Sequence, residues 1–403
     1  MMKNFSLYNL PDKVEYCKKC VVSNQRPSSV IEFENKDGKD KKGININKNG
    51  VCDACLYNDE KLKINWKERE EQLFKFLDKY RKNNTEFDCI VPSSGGKDSS
   101  FTAHILKTKY NMNPLAVTWA PNIWTNVGFE NFNNLTRIGG VDSMLITPNG
   151  KLHRYLTKIA FLNLGHPFQP FIHGQKIIGP KIAKKFNISL IVYGENQAEY
   201  GNQIKENSSF SMNNNFFSVN DEIGIGDIKF GGQSVKNIVR STDFVFEDFS
   251  IYSPLKKKEI KEAGLEMIYL GYFEKWDPQE NFYYACENTG FKPASERSEC
   301  TYSKYTEIDD KIVPFHFYMT FIKFGIGRAT NDACQEIRNQ KITRDEAINL
   351  VRKFDSEFPK RNLKEFLEYI DIDEKTFLST VDEFRSSHLW AFSDGKWKLK
   401  HQI

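Results

Sequence analysis

The sequence predicts an α/β protein in which a parallel sheet is covered by helices on both faces. Short apolar strands alternate with helical segments between residues 87 and 193, a pattern typical of parallel sheets. Two cysteine pairs precede this region, and mainly helical periodicity follows it. We therefore expect an N-terminal cysteine module at 1–62, an α/β domain at 63–255 and a mainly helical region at 256–403.

Each element is predicted from its own apolar pattern. Runs of four to six apolar residues predict strands at 87–92, 114–119, 142–147 and 188–193. Helical periodicity between them predicts helices at 99–110, 152–164 and 176–186, and beyond them at 278–289, 316–324, 329–339, 344–354, 363–370 and 374–385. Thr343 and Glu346 have the spacing of a capping box. Residues 201–250 lack helical pattern, which suits either a lid or an ordered hairpin insertion.

Composition restricts the possible partners. The chain has 403 residues and a formal net charge of only +4, with Lys and Arg spread along it. Nucleic-acid binding favours a strongly basic face, so no nucleic-acid partner is expected. No run of 18 apolar residues occurs and the N-terminus lacks a signal-peptide pattern, so we expect a cytoplasmic protein without a membrane segment.

The most informative motif directly follows the first predicted strand. It reads Ser94, Gly95, Gly96, Lys97, Asp98, Ser99, and we call it the phosphate loop. A loop between a strand and a helix N-terminus directs backbone N–H groups at an anion. The two glycines would allow close approach of a pyrophosphate, the serines and Lys97 would bind its oxygens, and Asp98 would help to hold Mg²⁺.

This loop is neither a Walker A motif nor a dinucleotide-binding glycine pattern, because its spacing differs from both. It resembles the Ser-Gly-Gly-x-Asp-Ser signature of the PP-loop ATP pyrophosphatases. The resemblance implies a HUP-like domain that cleaves ATP between its α and β phosphates. Such enzymes transfer AMP to a substrate oxygen and then displace it with nitrogen or sulfur.

Four cysteines have the spacing of a metal site: Cys17, Cys20, Cys52 and Cys55. Two Cys-x₂-Cys pairs can place four thiolates around one Zn²⁺, and four ligands close its shell. A structural zinc is therefore expected. Free surface thiols and an iron–sulfur cluster are the alternatives. The remaining four cysteines are scattered, and we interpret them as reduced core or surface residues.

A larger set of motifs resembles the N-acetyl sugar amidotransferases over roughly residues 15–390. The set comprises both cysteine pairs, the phosphate loop, and the segments 25–27, 114–119, 193–196, 199–201 and 325–330. The resemblance implies that ATP activates the acetamido oxygen of a bacterial diacetamido sugar, free or nucleotide-linked. Ammonia then gives an acetamidino group. Family members serve lipopolysaccharide O-antigen uronic sugars or nonulosonic acids of the pseudaminic and legionaminic type.

The ammonia source is expected to be a separate protein. An N-terminal-nucleophile glutaminase needs Cys at position 2, where this chain has Met2. No spare segment suits a fused glutaminase with a triad. The family resemblance implies partners similar to the glutaminase and cyclase subunits of imidazole glycerol-phosphate synthase, which would produce and channel ammonia.

Further site residues are expected beyond the carboxyl ends of the strands, where ligands of open parallel sheets bind. Thr118 and Trp119 would contact the nucleotide base. Glu195 would bind Mg²⁺ or accept a proton from ammonia, and Asn196 would hold the amide, unless the pair only caps a loop. Tyr200 is a candidate for sugar contact. Arg328 would neutralise a phosphate or sugar carboxylate, unless it forms a surface ion pair.

Two other functions share some of these features. A tRNA sulfurtransferase would also use the phosphate loop, but it needs a reactive cysteine near the sheet or an iron–sulfur cluster, and Cys89 lies inside a predicted strand. An inactive scaffold, in which the cysteine module recruits a partner, would not need an intact phosphate loop. The resemblance therefore favours an enzyme that uses ATP, Mg²⁺ and Zn²⁺.

Overall fold

A five-stranded sheet forms the centre of the protein. The computed structural model describes residues 7–28, 41–82, 86–201 and 209–403. The sheet has the strand order β3-β2-β1-β4-β9, and all its strands run parallel. The strands of this sheet are β1 Cys89–Pro92, β2 Pro114–Trp119, β3 Asp142–Ile146, β4 Leu190–Tyr193 and β9 Glu266–Tyr269. Two short pairs lie outside it: β5 Ser218–Val219 with β8 Leu255–Lys256, and β6 Lys229–Phe230 with β7 Gln233–Ser234.

The predicted parallel α/β fold is confirmed, with one strand more than expected. β9 pairs with β4 through Leu190 and Glu266, so the sheet extends beyond residue 255, where we expected the α/β domain to end. The four residues of β9, Glu-Met-Ile-Tyr, are too few to predict a strand by themselves.

The sheet order reverses between β1 and β4. At such a switch point the loops after neighbouring strands diverge and leave a crevice.

Fourteen helices are found in the described ranges. All the predicted ones are present with small shifts in their ends, except that the helix predicted at 176–186 begins seven residues earlier, at Gln169. The helices are α1 Asp53–Lys61, α2 Trp66–Leu77, α3 Lys97–Thr108, α4 Asn126–Arg137, α5 Gly150–Leu164, α6 Gln169–Lys185, α7 Val235–Ser241, α8 Lys257–Glu262, α9 Pro278–Thr289, α10 Val313–Phe324, α11 Arg328–Arg338, α12 Arg344–Phe354, α13 Leu363–Ile370 and α14 Glu374–Glu383.

Helix α4 was not predicted, because its sequence contains four asparagines, a residue with low helix propensity. Thr125 caps it by accepting a hydrogen bond from the Gly128 N–H. The predicted capping box of α12 is confirmed: Thr343 accepts from the Glu346 N–H, and Glu346 accepts from the Thr343 N–H.

The two faces of the sheet bury different cores. Alternate residues of β1 point to opposite faces, so Ile90 packs with α5 and α6, whereas Cys89 and Val91 pack with α2 and α3. The core containing Ile90 also includes apolar residues of α10, α13 and α14. The helical C-terminal region is therefore packed directly on the α/β domain.

The segment after β4 is an ordered insertion over residues 209–250, and residues 202–208 lie outside the described residues. It contains the antiparallel β6–β7 pair and helix α7. Phe217, Phe230 and Ile238 are fully buried in the core of α5 and α6. Of the two expectations for this segment, the structure favours the ordered insertion.

The chain ends in an antiparallel hairpin that was not predicted, β10 Trp390–Ser393 with β11 Lys396–Leu399. Trp390 anchors it, because its indole N–H donates to the carbonyl of Ile322 at 2.8 Å. The C-terminal region is therefore mainly helical, as expected, but it closes with two strands. None of the described helices is long and apolar enough to cross a membrane.

Candidate active site

A cavity of about 520 Å³ lies at the carboxyl ends of β1, β2 and β4. One wall, which we call the sheet wall, consists of the phosphate loop with Trp119, Phe168, Phe171 and Ile178. A second wall, which we call the C-terminal wall, contains Tyr305, Glu307, Asp309, Asp332 and Glu336. The cavity is thus placed where open parallel sheets bind their ligands, and it brings together residues up to about 240 positions apart.

The phosphate loop lines the cavity and opens helix α3. Gly96 is the N-cap of α3, and no side chain caps its first turn, so N–H groups at this end remain available to an anion. A Cβ on Gly95 would lie 2.5 Å from the Cα of Phe132, and Gly95 has a φ of +83°. Glycine is therefore required at position 95 by the close approach of α4. A Cβ on Gly96 would meet only the Ser94 hydroxyl, at 3.5 Å.

Ser93, which we did not predict as a site residue, holds the loop in shape. Its hydroxyl oxygen accepts from the Gly95 N–H at 3.1 Å and lies 2.9 Å from the Ser99 hydroxyl. Ser99 Oγ also lies 3.0 Å from the carbonyl of Gly96. These contacts give Ser99 a role within the loop. The Ser94 side chain instead contacts Asp309 of the C-terminal wall.

Lys97 and Asp98 face each other at the start of α3. The Lys97 side chain is 5% exposed, and its ammonium contacts Asp98 Oδ2. Asn281 of α9 donates to Asp98 Oδ1 at 3.0 Å. Lys97 Nζ also lies 5.9 Å from the centre of the Tyr305 ring. A buried cation beside a carboxylate provides one group for a phosphate oxygen and one for a divalent cation.

Thr118 and Trp119 occupy different positions relative to the cavity. Thr118 is buried, and its hydroxyl donates to the carbonyl of Ser93, so it supports the loop from behind. Trp119 lines the cavity, and a Cβ on Gly174 would lie 2.2 Å from its ring. The indole Nε1 is buried and has no hydrogen-bond partner among the described residues. Trp119 thus offers only a small apolar part of its ring to the cavity, because its indole N–H is shielded.

Glu195 lies across the cavity from Asp98, directly after β4. Burial, together with the negative charge of Asp98, raises the pKa of Glu195 to about 7. The Tyr200 hydroxyl donates to Glu195 Oε1 at 2.7 Å, which opposes that rise. A carboxyl group with a pKa near neutrality can accept or release a proton under ordinary conditions.

Asn196 and Tyr200 belong to the turn that follows Glu195. Asn196 is fully buried and caps the 3₁₀ turn Gln197–Tyr200, because its Oδ1 accepts from the Ala198 N–H at 3.1 Å. This is the capping role that we had kept open as an alternative. Asn196 does not line the cavity, whereas Tyr200 does.

Arg328 lines the cavity but is held by two carboxylates. Its Nη1 lies 2.5 Å from Glu307 Oε1, and its Nε lies 3.0 Å from Asp332 Oδ1. Burial alone would lower the pKa of Arg328, but Asp332 and Glu307 outweigh burial and leave it raised. Arg328 therefore forms the ion pair that was its alternative interpretation, but this pair lies in the cavity and not on the outer surface.

Apart from Arg328, the residues of the C-terminal wall were not predicted from the sequence. Asp310 fixes this wall by accepting hydrogen bonds from the backbone N–H groups of Asn122 at 2.6 Å and Ile312 at 2.9 Å. Burial raises the pKa of Asp309, the neighbour of Asp310 that faces Ser94. Residues 303–310 have no helical or strand periodicity, so no local pattern could have identified them.

The four predicted metal ligands form one cluster. Their sulfur atoms all lie within 4.8 Å of one another, and all four residues are buried. Cys17 and Cys55 are separated by 3.9 Å, and Cys20 and Cys52 by 3.6 Å. Zn–S bonds of about 2.3 Å in a tetrahedron place sulfurs roughly 3.8 Å apart. The donor set therefore fits a single Zn²⁺, whereas the irons and sulfides of a [4Fe–4S] cluster would force the thiolates further apart.

The other four cysteines are Cys89, Cys286, Cys300 and Cys334. Burial raises the pKa of the Cys89 thiol, which disfavours the reactive thiolate. No cysteine is found among the described residues that line the cavity. The cavity therefore lacks the nucleophile that a cysteine-dependent sulfurtransferase would need.

Comparison with known proteins identifies the C-terminal part of the chain. Residues 299–403 match the model of the family described as LPS biosynthesis protein WbpG-like, C-terminal domain. The match covers about a quarter of the chain and supports the predicted link to surface-polysaccharide biosynthesis. The matched range includes the C-terminal wall.

Two individual proteins are also similar to parts of the chain. An uncharacterized protein of Methanocaldococcus jannaschii, MJ1599, is 35% identical over 114 residues, which is 27% of this chain and 39% of that protein. The chain thus matches well under half the length of this relative. The NMN synthetase of Francisella tularensis aligns with 14% identity over 50% of this chain and 93% of that chain, with a TM-score of 0.25. A TM-score this low carries no weight for the fold.

Proposed function

We propose that this chain, whose C-terminal domain belongs to the WbpG-like family of LPS biosynthesis proteins, is an ATP-dependent N-acetyl sugar amidotransferase. In the proposed reaction, the acetamido oxygen of a bacterial diacetamido sugar attacks the α-phosphorus of ATP and pyrophosphate leaves. Ammonia then attacks the imidate carbon, and AMP leaves with the former acetamido oxygen. The product carries an acetamidino group.

One observation carries this proposal: the phosphate loop and the WbpG-like domain line the same cavity. Ser94 of the loop contacts Asp309 of the domain directly. An ATP-activating loop facing a domain from surface-sugar biosynthesis is the arrangement that adenylation of a sugar group requires, because both reactants must meet in one enclosed space.

The roles of the residues follow from their positions. The N–H groups at the start of α3 and the Lys97 ammonium would hold the phosphates, and the apolar residues around Trp119 would accept the base. Asp98 would hold Mg²⁺, which would neutralise the charge of the leaving pyrophosphate. Glu195, whose pKa lies near 7, would take the proton released when ammonia becomes bound.

The Cys17–Cys20–Cys52–Cys55 cluster would hold a structural Zn²⁺, since four thiolates leave no position open for a substrate. Ammonia would come from separate glutaminase and cyclase-like subunits, as the family resemblance implies. Tyr200 and the C-terminal wall would contact the sugar. Their polar and acidic side chains suit hydroxyl and amide groups.

The test is turnover of the purified chain with ATP, Mg²⁺ and ammonium, against a panel of diacetamido uronic and nonulosonic sugars. We expect pyrophosphate release that depends on the sugar, and a product lighter by the difference between O and NH. Unmodified tRNA with a sulfur donor serves as the competing substrate. Turnover with tRNA alone would reject the amidotransferase and favour a sulfurtransferase.

A further inference from the structure

Helix α1 connects the four-cysteine cluster to the turn that follows β4. Cys52 is the N-cap of α1 and Cys55 lies in its first turn. The helix packs against the turn Gln197–Tyr200. Gly201, at the end of that turn, has a φ of +84°, and a Cβ there would lie 3.6 Å from the Cβ of Ala54. The thiolate cluster and the catalytic side of the cavity are thus separated by a single helix.

A buried ion pair joins the far end of α1 to the same turn. Lys61 Nζ lies 2.6 Å from Glu199 Oε1, and the two side chains are only 4% and 6% exposed. Lys61 also donates to the carbonyl of Trp276 at 3.1 Å. Exposed pairs contribute little to stability, but removing one partner of a buried pair is costly, because it leaves a charge without compensation.

Two arginines hold the turn from other directions. Arg338 of α11 donates to the carbonyl of Glu199 at 2.7 Å, and its own carbonyl accepts from Asn58 of α1 at 3.2 Å. The guanidinium of Arg26, from the loop after the first cysteine pair, lies 5.3 Å from the centre of the Tyr200 ring. The cysteine module therefore contacts the turn through both its first segment and its helix.

The other side of the turn enters the cavity. Tyr200 ends the turn, lines the cavity and donates its hydroxyl to Glu195 at 2.7 Å. Asn196, which begins the turn, directly follows Glu195 and is fully buried. A displacement of the turn would therefore move both Tyr200 and the backbone that carries Glu195.

We infer that the four-cysteine centre positions the cavity carboxylate Glu195, through α1, the Lys61–Glu199 ion pair and Tyr200. Lys61 and Glu199 are positioning residues in this arrangement, since neither lines the cavity. The consequence for catalysis rests on the proposed function, in which Glu195 accepts a proton from ammonia. The mechanical link itself does not depend on the reaction.

Hydrogen–deuterium exchange of residues 195–201 tests the link without ATP or sugar. In the zinc-loaded protein we expect Lys61→Met to accelerate exchange in this segment by at least about tenfold, because the turn loses its buried anchor. Lys61→Arg should restore much of the protection. Zinc content, measured in parallel by elemental analysis, should stay at one per chain in both variants.

Lys19→Met is the matched control. Lys19 forms an ion pair with Asp59 of α1 at 2.6 Å, but these side chains are 48% and 43% exposed. Exchange at 195–201 should therefore not change in this variant. If Lys61→Met does not fold, Glu199→Gln retains the shape and an acceptor for Lys61, and should give a smaller acceleration. Wild-type exchange at 195–201 in the folded Lys61 or Glu199 variant would overturn the inference. Because no substrate is present, that result would leave the proposed function standing.

Discussion

The two walls of the cavity are built from different chemistry. The sheet wall combines helix-terminal N–H groups with Trp119, Phe168 and Phe171, so it offers anion-binding groups beside an apolar slot. The C-terminal wall presents Glu307, Asp309, Asp332 and Glu336 around a single held arginine, Arg328. In the proposed reaction, this difference gives the two reactants separate places: the nucleotide base and phosphates against the sheet wall, and a hydrogen-bonding or cationic group against the C-terminal wall.

The largest effect is expected for the substitution Lys97→Met, which tests whether the sheet wall binds the phosphates. Lys97 is the buried cation of the phosphate loop, so its loss should lower pyrophosphate release by about 10³-fold. Lys107→Met, further along α3, is the control, since Lys107 is exposed and contacts only the carbonyl of Gly140. Equal activity of the two variants would show that the loop does not bind the phosphates.

Glu195→Gln should have the next largest effect, with about 10²-fold lower turnover. The pKa of Glu195 is about 7, so the carboxylate is present above pH 7. Wild-type activity should therefore fall as the pH drops through 7, and the glutamine variant should lose this dependence. The pH profile of kcat/KM, which reports the ionisations of the free enzyme, is the measurement.

Tyr200→Phe sharpens the same test. The Tyr200 hydroxyl lowers the pKa of Glu195, so its removal should move the midpoint of the kcat/KM profile to higher pH. Zinc content should not change, because Tyr200 does not contact the cysteines. A midpoint that stays in place, or moves to lower pH, would contradict the assignment of the titrating group to Glu195.

Asp310→Asn should destabilise the C-terminal wall by about 2 kcal/mol. The carboxylate accepts from several backbone N–H groups, and an amide would direct N–H donors at some of them. Urea denaturation measures the loss. Asp371→Asn is the control, since the Asp371 side chain is 92% exposed. Equal stability of the two variants would mean that Asp310 does not anchor the wall.

The smallest expected effect concerns a helix behind the cavity. Thr343→Ala removes the cap of α12 and should cost about 1 kcal/mol of stability, with no change in the KM for ATP. Ser379→Ala, on the exposed face of α14, should cost less. A rise in the KM for ATP would show that the loss of this cap affects ATP binding at the sheet wall. Ligand binding at the two walls would then not be independent.

Much of the sheet wall could be predicted from the sequence, because its determinants are local. The phosphate loop consists of six consecutive residues that lead from the end of β1 into the first turn of α3. The four cysteines were likewise found from the spacing within each pair, and the structure brings them together. Helix α4 was missed because Asn-rich segments have low helix propensity, although it dictates the glycine at position 95.

The C-terminal wall could not be predicted, because long-range contacts place it. Asp309 reaches Ser94 across more than 200 residues of sequence, and Asp310 fixes this approach through Asn122. The same limit applies to Glu199, whose partner Lys61 is 138 residues away. The sequence contains these charges, but only the tertiary fold shows which of them are paired.

The most direct test of the central claim uses a sugar whose acetamido oxygen is labelled with ¹⁸O. The labelled sugar is incubated with the protein, ATP, Mg²⁺ and ammonium, and the nucleotide products are analysed by mass spectrometry. Adenylation of the amide oxygen followed by attack of ammonia predicts that the label appears in AMP, with none in pyrophosphate. Label that remains in the sugar while ATP is consumed would contradict the proposed reaction.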